Sequence, residues 1–177
     1  VLYKLKFNNL TLTPGLRYEN IELARDNFGT SDPSRTGANL ASRENKVAIF
    51  IPGMGFNYKL SNVTSIFGGI HKGFSPPGNE SEQESEESIN YELGSRFNIN
   101  GLRGEVIGFY NDYSNLLGSD LAASGGTGSL EQFNAGEVQV KGIELLLNYD
   151  LIKNNASYAL PISFGYTFTD TEFLNSF

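Results

Sequence analysis

The 177-residue sequence contains no cysteine, no tryptophan, one histidine and one methionine. Without cysteine, the chain has neither a disulfide framework nor a thiolate metal site. A zinc site or a Ser/His/Asp triad would depend entirely on His71. No run of 18 or more apolar residues occurs, which argues against a transmembrane helix. We therefore expect no catalytic residue, no bound metal and no cofactor, and a protein that is not an enzyme.

Basic side chains are also scarce. The sequence has 13 lysines and arginines against 20 aspartates and glutamates, a formal net charge of -7. Nucleic-acid binding requires a basic surface, so nucleic acid is excluded as a partner. The first residues contain neither an initiator methionine nor the features of a signal peptide, so we expect a mature or excised piece of a longer chain.

The sequence is rich in alternating apolar and polar residues. From Leu10 to Glu19 the even positions are Leu, Leu, Pro, Leu and Tyr, and the odd positions are Thr, Thr, Gly, Arg and Glu. This period of two predicts a β-strand with one apolar face. Similar runs cover residues 1–6, 50–60, 63–74, 89–99, 102–113, 138–151 and 160–168. The sequence therefore predicts about eight strands, with a β-bulge near Gly142, where the alternation changes phase.

Short and long connections alternate along the chain. Short turns rich in Asn and Gly are predicted at residues 7–9, 61–62, 98–101 and 153–155, and long polar loops at about 25–45, 75–87 and 116–132, with a fourth after Thr169. An up-and-down antiparallel sheet would carry all short turns on one edge and all long loops on the other. Transmembrane β-barrels have this asymmetry, and they also have girdles of tyrosine and phenylalanine at the ends of their apolar faces.

An ordered set of segments resembles the TonB-dependent outer-membrane transporters, in particular the receptors for ferric citrate and other ferric siderophores. The segments are NLTLTPGLRYENIE, IPGMGFNYKL, GGIHKGFSPP, INYELGSRF, FYNDYSNLL and NAGEVQVKGIELLLNYDL. They extend over nearly the whole chain. The resemblance implies an all-β fold in which residues 1–177 are an up-and-down antiparallel segment of a transmembrane β-barrel. About eight strands of an expected 22 are present, and the plug domain and the closing strands are absent.

The resemblance also implies a function and a location. A protein of this family would sit in the lipid of the bacterial outer membrane and take up a ferric chelate, such as ferric citrate or another siderophore. Its energy would come from the TonB energy-coupling complex, which acts through the plug domain. Two alternatives stay open: a soluble or surface-exposed β-sheet interaction module, and a plug-free porin.

Candidate site residues fall into two groups. Arginine makes charge-assisted bonds to carboxylates, so an anionic chelate is expected to contact the first long loop through Arg25, Arg35 and Arg43. The second group is expected to face the polar lumen and the plug in a structural role: Arg17, Glu19, Glu92, Arg96, Arg103 and Glu105. The acidic run from Glu80 to Glu87 is expected to be a water-facing external loop.

Overall fold

The computed structural model of the chain describes residues 3–78, 83–119, 132–134, 136–151, 158 and 160–174. In chain order its strands are β1 (Leu5–Phe7), β2 (Leu10–Asn27), β3 (Ala41–Lys59), β4 (Thr64–Ser75), β5 (Glu86–Ile99), β6 (Leu102–Ser114), β7 (Leu117–Ser119), β8 (Gln132–Asn134), β9 (Val138–Asp150) and β10 (Pro161–Phe173). Within the described ranges, no helix is long and apolar enough to cross a membrane.

Eight of the strands form one antiparallel sheet in the order β1-β2-β3-β4-β5-β6-β9-β10. Strands β7 and β8 pair with each other in a small separate sheet between β6 and β9. Apart from that insertion, every strand pairs with its neighbours in sequence. The predicted all-β, up-and-down architecture of about eight strands is confirmed.

Three short turns reverse the chain at the lower end of the sheet, and two of them contain residues with positive φ. Asn8 has a φ of 49° between β1 and β2. Asn100 and Gly101 have φ values of 52° and 86°, as a two-residue type I′ hairpin requires at both central positions. In the turn after β3, the Ser61 hydroxyl oxygen accepts a 3.1 Å hydrogen bond from the first backbone N–H of β4. These three predicted turns are confirmed, and the one predicted at residues 153–155 lies outside the described residues.

The register divides the sheet into two faces of opposite character. Even-numbered residues of β2, β3, β4, β6 and β10 share one face with odd-numbered residues of β5 and β9. We call it the apolar face, because between the short turns and the middle of the strands it carries large apolar residues: Leu10, Leu12, Leu16, Met54, Phe56, Tyr58, Ile66, Ile70, Tyr91, Leu93, Val106, Ile143, Leu145, Leu147, Phe164, Tyr166 and Phe168. We call the opposite side the polar face.

Contact with water is unfavourable for the apolar face. Met54, Leu93 and Phe168 are all more than half exposed, and the two buried aliphatic residues of the described part, Ile49 and Val138, lie on the polar face. Along β5 the apolar positions run from Ile89 to Ile99, about 34 Å at about 3.4 Å per residue. A strand tilt of about 40° reduces this to about 25 Å, the height of the apolar band of a transmembrane barrel.

The polarity of the two faces reverses in the upper part of the β2–β3 hairpin, where "upper" denotes the end of the long loops. Below Tyr18 and Phe50, whose ring centroids lie 4.8 Å apart, the apolar residues are at even positions. Above them the apolar face carries the ion pair Lys46–Glu22 at 3.0 Å. The polar face there carries Ile21, Leu23, Val47 and Ile49.

Four consecutive strand pairs each place one phenylalanine opposite one glycine. The pairs are Phe56–Gly68, Phe67–Gly94, Phe97–Gly104 and Phe109–Gly142. A Cβ added at Gly94 would lie 2.6 Å from the Cζ of Phe67, and one at Gly142 would lie 2.6 Å from the Cζ of Phe109. Each ring therefore lies over bare backbone, and this cross-strand packing links the strands from β3 to β9.

Two sequence-based expectations about strand regularity and extent are wrong. The pairing of β9 with both β6 and β10 continues without a break through Gly142, so no bulge is present. Gly142 interrupts the alternation because the Phe109 ring occupies the space of a side chain. Strand β3 begins at Ala41 instead of near residue 50, because its upper part has reversed polarity.

The ends of other loops also differ from expectation. Strand β10 continues to Phe173, where a loop was predicted after Thr169. The predicted loop at 116–132 contains β7 and leads into β8, and most of its remaining residues lie outside the described part of the chain. Strands of three residues carry too little periodicity to be recognised in sequence.

The β2–β3 hairpin extends beyond the pairing of β3 with β4. That pairing stops at Gly53, which lies opposite His71. On the upper side of Gly53 lies Pro52, which has no N–H to donate to a neighbouring strand. Between Ala41 and Pro52, β3 pairs with β2 alone among the described strands. The loop that joins the two strands, residues 28–40, therefore lies at the far end of a long two-stranded ribbon.

Candidate functional site

The polar face holds the first part of the candidate site, a set of side chains that we call the polar wall. All six predicted lumen-facing residues lie on this face by register: Arg17, Glu19, Glu92, Arg96, Arg103 and Glu105. Five of the six make ion pairs, and the sixth, Glu92, lies beside the backbone of Gly69.

The ion pairs of the polar wall link neighbouring strands. Arg96 of β5 pairs with Glu105 of β6, its direct cross-strand neighbour. Arg103 of β6 reaches Asp150 of β9, with 3.1 Å between Nη2 and Oδ2. Arg17 pairs with Glu19, two residues along the same strand. All three arginines are more than half exposed, so each guanidinium keeps donors that face outward from the sheet.

The structure adds residues that sequence reasoning missed. Asp150 and Asn148 lie on the polar face near the lower end of β9, and the Ser163 hydroxyl donates a 2.7 Å hydrogen bond to Asn148 Oδ1. Phe67 also belongs to the polar wall, and the Arg96 guanidinium lies 4.6 Å from its ring centroid. Asp150 and Asn148 are even-numbered residues of β9, and this numbering could have placed them on the polar face. The β-bulge expected at Gly142 hid it, because a bulge would have changed which residues of β9 face each side.

The upper hairpin carries the second part of the site, which we call the arginine tip: Arg25, Arg35 and Arg43. Arg25 and Arg43 are direct cross-strand partners on the polar face. Like charges directly opposite one another destabilise a strand pair. The structure thus brings two of the three predicted arginines together, a proximity that their separation of 18 residues does not reveal.

Arg35, the third arginine, lies in the loop at the end of the hairpin, where Asp32 organises the backbone. Asp32 is buried, and its carboxylate accepts hydrogen bonds from Thr36 N (3.0 Å), Thr36 Oγ1 (3.1 Å) and Gly37 N (2.8 Å). The bond from the Thr36 backbone is the main reason that the pKa of Asp32 lies below its ordinary value, although burial acts in the opposite direction. Arg35 has a φ of 51°, and its guanidinium lies 5.8 Å from the Phe28 ring centroid.

Asn45 connects the upper hairpin to the loop between β4 and β5. Its side-chain Nδ2 donates hydrogen bonds to the carbonyl oxygens of Gly78 (3.2 Å) and Gln83 (3.0 Å). The Gln83 side chain accepts a 2.8 Å bond from the Gly78 N–H, and both Pro77 and Gln83 are buried. The start and end of this loop therefore pack against the hairpin beside the arginine tip.

The described part of the acidic segment and His71 belong to no metal-binding cluster. Among the described residues, no group of three or more His, Cys, Asp or Glu side chains is placed to hold a metal ion. His71 lies on the polar face opposite Gly53, in the middle of the sheet. Glu87 pairs with Lys72 at 2.6 Å on the apolar face, and part of the acidic run, residues 80–82, lies outside the described residues.

Comparison with known proteins identifies the architecture. The family described as "TonB dependent receptor-like, beta-barrel" matches residues 1–176. No curated protein matches the sequence. The family is one of receptors and not of enzymes, and the expectation that this chain is not itself an enzyme stays a prediction.

Solved structures show the same fold at low sequence identity. The alcaligin outer-membrane receptor FauA of Bordetella pertussis is 18% identical, with a TM-score of 0.70 over 98% of this chain and 29% of that one. The FrpB iron transporter of Neisseria meningitidis is 16% identical, with a TM-score of 0.69 over 96% and 25%. The ferric citrate transporter FecA is 19% identical, with a TM-score of 0.66 over 97% and 25%. The chain thus spans between a quarter and a third of the length of these three proteins.

Proposed function

This chain belongs to the TonB-dependent receptor-like β-barrel family, and on that premise we propose that it forms part of the wall of an outer-membrane receptor. The receptor takes up a ferric chelate, either ferric citrate or another siderophore complex. No bond of the substrate is broken, so the work is binding and translocation. In this proposal the apolar face contacts lipid and the polar face contacts the lumen.

The observation that carries the proposal is the single-layer sheet with two unlike faces. A soluble sheet with one exposed apolar face would need a second layer to cover it, and the described residues provide none. Lipid satisfies the apolar face, while the ion pairs of the polar wall suit a water-filled or protein-filled interior. Closure with further strands removes the unpaired edges at β1 and β10.

The polar wall has a structural role in this proposal. Its outward-facing donors and acceptors hydrogen-bond a plug domain inside the barrel, and the plug responds to the TonB energy-coupling complex. The residues concerned are the predicted six: Arg17, Glu19, Glu92, Arg96, Arg103 and Glu105. The ion pairs Arg17–Glu19, Arg96–Glu105 and Arg103–Asp150 restrict the motion of these side chains, which reduces the entropy lost when a partner docks.

The arginine tip binds the chelate as it enters from outside. Ferric citrate and many ferric siderophores are anionic, and guanidinium groups make bidentate bonds to carboxylates. Arg25 and Arg43 face each other across the hairpin, and Arg35 lies in the loop above them.

The test is uptake by the full-length protein carrying Arg25→Ala and Arg43→Ala together. We expect the apparent KM for ferric citrate to rise about tenfold or more, because a hydrogen bond to a charged group contributes about 1.5–3 kcal/mol. Lys46→Ala is the matched control, since Lys46 lies on the same strand as Arg43 but on the opposite face, where it pairs with Glu22. Unchanged uptake in the double variant, or an equal defect in Lys46→Ala, would remove the arginine tip from the site.

A separate measurement tests the membrane assignment. A full-length protein that remains monodisperse in plain buffer without detergent would favour the soluble interaction module. A parent sequence without a plug domain would favour the porin. Binding of ferric citrate compared with an uncharged ferric siderophore would identify the class of chelate.

A further inference from the structure

The lower end of the polar face contains a pocket of about 480 Å³ beside the turn between β3 and β4. The register places its polar side chains in two neighbouring rows that cross the sheet. The upper row contains Lys59, Ser65, Arg96 and Glu105, and the lower row contains Asn98, Arg103 and Asn148. This volume lies within the range of pockets that bind small molecules, about 300–1,000 Å³.

Positive charge predominates in the pocket. Lys59, Arg96 and Arg103 line it, and Glu105 is the one carboxylate among its lining residues. Glu105 pairs with Arg96, and Asp150 pairs with Arg103 from outside the lining. Within the described ranges, no ion pair or hydrogen bond engages the Lys59 ammonium group. The charge that remains without a partner is therefore positive, and Lys59 carries it.

The next row up the polar face does not cancel this charge. It contributes one charge of each sign, Lys6 of β1 and Glu144 of β9. In the strand order of the sheet, Lys6 lies two strands from Lys59 and Glu144 lies four strands away. The nearer charge is thus the positive one, and an anion is favoured at Lys59.

Neutral side chains add hydrogen-bonding groups that have no partner. In the part of the chain that the structure describes, no hydrogen bond engages the side-chain amides of Asn57 and Asn98, which both line the pocket. Asn148 accepts a bond from Ser163 through Oδ1, and its amino group stays available. The pocket therefore offers amide groups, which donate and accept, beside its cations.

We propose that this pocket binds a small hydroxycarboxylate anion. Its carboxylate lies between Lys59 and Arg96, where the small side chain of Ser65 leaves space. Arg96 keeps N–H donors that its ion pair with Glu105 does not use. A hydroxyl group of the same molecule pairs with the Asn98 amide. An apolar ligand would leave all of these groups unpaired, which is unfavourable.

The pocket is a separate site from the arginine tip. Arg43 and Lys59 are 16 residues apart on β3, about 54 Å at about 3.4 Å per residue, so one small ligand cannot contact both. The proposed function gives this end of the polar wall a structural role only. A position at the end where a chelate leaves the lumen rests on that proposed function, whereas binding of the anion does not.

Metal-free citrate is the probe, and isothermal titration calorimetry on the purified full-length protein in detergent is the measurement. The protein carries Arg25→Ala and Arg43→Ala, so the arginine tip does not contribute. We expect one citrate to bind, and Lys59→Gln in this background should weaken binding about tenfold, because a charge-assisted hydrogen bond is lost. Native affinity in Lys59→Gln, or no citrate binding in the parent double variant, would overturn the proposal.

Lys6→Gln is the matched control. It removes the same charge from the same face, but Lys6 does not line the pocket. Citrate should bind this variant with unchanged affinity. An equal loss in Lys6→Gln and Lys59→Gln would assign the effect to the general charge of the lower face and would contradict a defined site.

The hydroxyl contact is tested with tricarballylate, which has the three carboxylates of citrate and no hydroxyl group. We expect tricarballylate to bind about threefold more weakly than citrate, and Asn98→Ala to remove this difference. A preference for citrate that persists in Asn98→Ala would overturn the contact with Asn98. Neither titration measures uptake. Citrate binding in a protein that transports no chelate would contradict the proposed function alone, and transport without binding here would contradict this site alone.

Discussion

The lower part of the sheet and the upper part of the β2–β3 hairpin use the same alternation with opposite polarity. In the lower part, apolar side chains point away from the polar wall and phenylalanine rings fill the spaces above glycines. In the upper hairpin that same outer face carries Lys46 and Glu22, while Val47 and Ile49 lie on the inner side. Because one strand, β3, contains both patterns, the difference cannot come from strand propensity. In the proposed function, it marks where the surroundings of the strand change from lipid to water.

The largest expected difference between the lower and upper parts is the cost in stability of an arginine introduced into β3. Met54→Arg and Ala48→Arg lie six residues apart on the same face of β3. We expect Met54→Arg to reduce the free energy of unfolding in lipid by about 2–4 kcal/mol, and Ala48→Arg by about 0–1 kcal/mol, because the cost of an arginine falls with distance from the bilayer midplane. Urea unfolding of the full-length protein in vesicles measures both. Similar losses at the two positions would contradict the assigned height of the membrane boundary.

Glycine packing in the lower part gives the next largest expected effect. A Cβ at Gly142 would collide with the backbone oxygen of Phe168 and lie 2.6 Å from the Phe109 ring, whereas nothing lies within 4 Å of one at Gly165. Overpacking of this kind costs about 1–3 kcal/mol, so Gly142→Ala should unfold at lower denaturant than the native protein. Gly165→Ala should stay within about 0.5 kcal/mol. If both variants unfold at the native midpoint, the sheet is less tightly packed than the phenylalanine–glycine pairs indicate.

The upper part should respond to pH through Asp32, with a smaller and local effect. Its folded pKa lies below the ordinary value of 3.8 because the carboxylate accepts hydrogen bonds, first from the Thr36 backbone N–H. A depressed folded pKa stabilises the loop above pH 3.8, and that stabilisation is lost as the pH falls through the folded pKa. Hydrogen exchange in residues 28–40, corrected for the intrinsic rate, should therefore show lower protection at pH 2.5 than at pH 5.

Asp32→Asn provides the control for this pH dependence. An amide cannot accept bonds on both terminal atoms, so the loop should be less protected at pH 5 and should change little on acidification. A native-like pH response in Asp32→Asn would assign the effect to another group. The lower strands should keep their protection at both pH values, which separates loop loosening from general unfolding.

Much of the architecture was predictable because alternation is a property of each strand on its own. The apolar runs beginning at Leu10 and at residue 89 predicted their strands correctly, and the Asn-Gly turn at 100–101 predicted a hairpin. The alternation of short and long connections predicted the up-and-down order. The same periodicity failed in the upper half of β3, where alternation with reversed polarity and several charges resembled a loop.

The candidate site, like the fold, was predictable only in part. Sequence alone proposed the arginines of the first long loop and six polar residues as candidates, and the register places those six on one face. It did not reveal that Arg25 lies opposite Arg43, that Arg103 reaches Asp150, or that Asn45 holds the neighbouring loop. Those relations join residues 18, 47 and at least 33 positions apart.

The sequence by itself determined which residues alternate, where the chain turns tightly and which side chains are polar, since each follows from the chemistry of neighbouring residues. Only the tertiary structure decided which residue of one strand lies opposite which residue of the next. That register results from hydrogen bonding along the whole ladder and from the side chains that pack across it. It places Phe109 on Gly142, leaves Gly108 uncovered and sets two arginines face to face at the end of the hairpin.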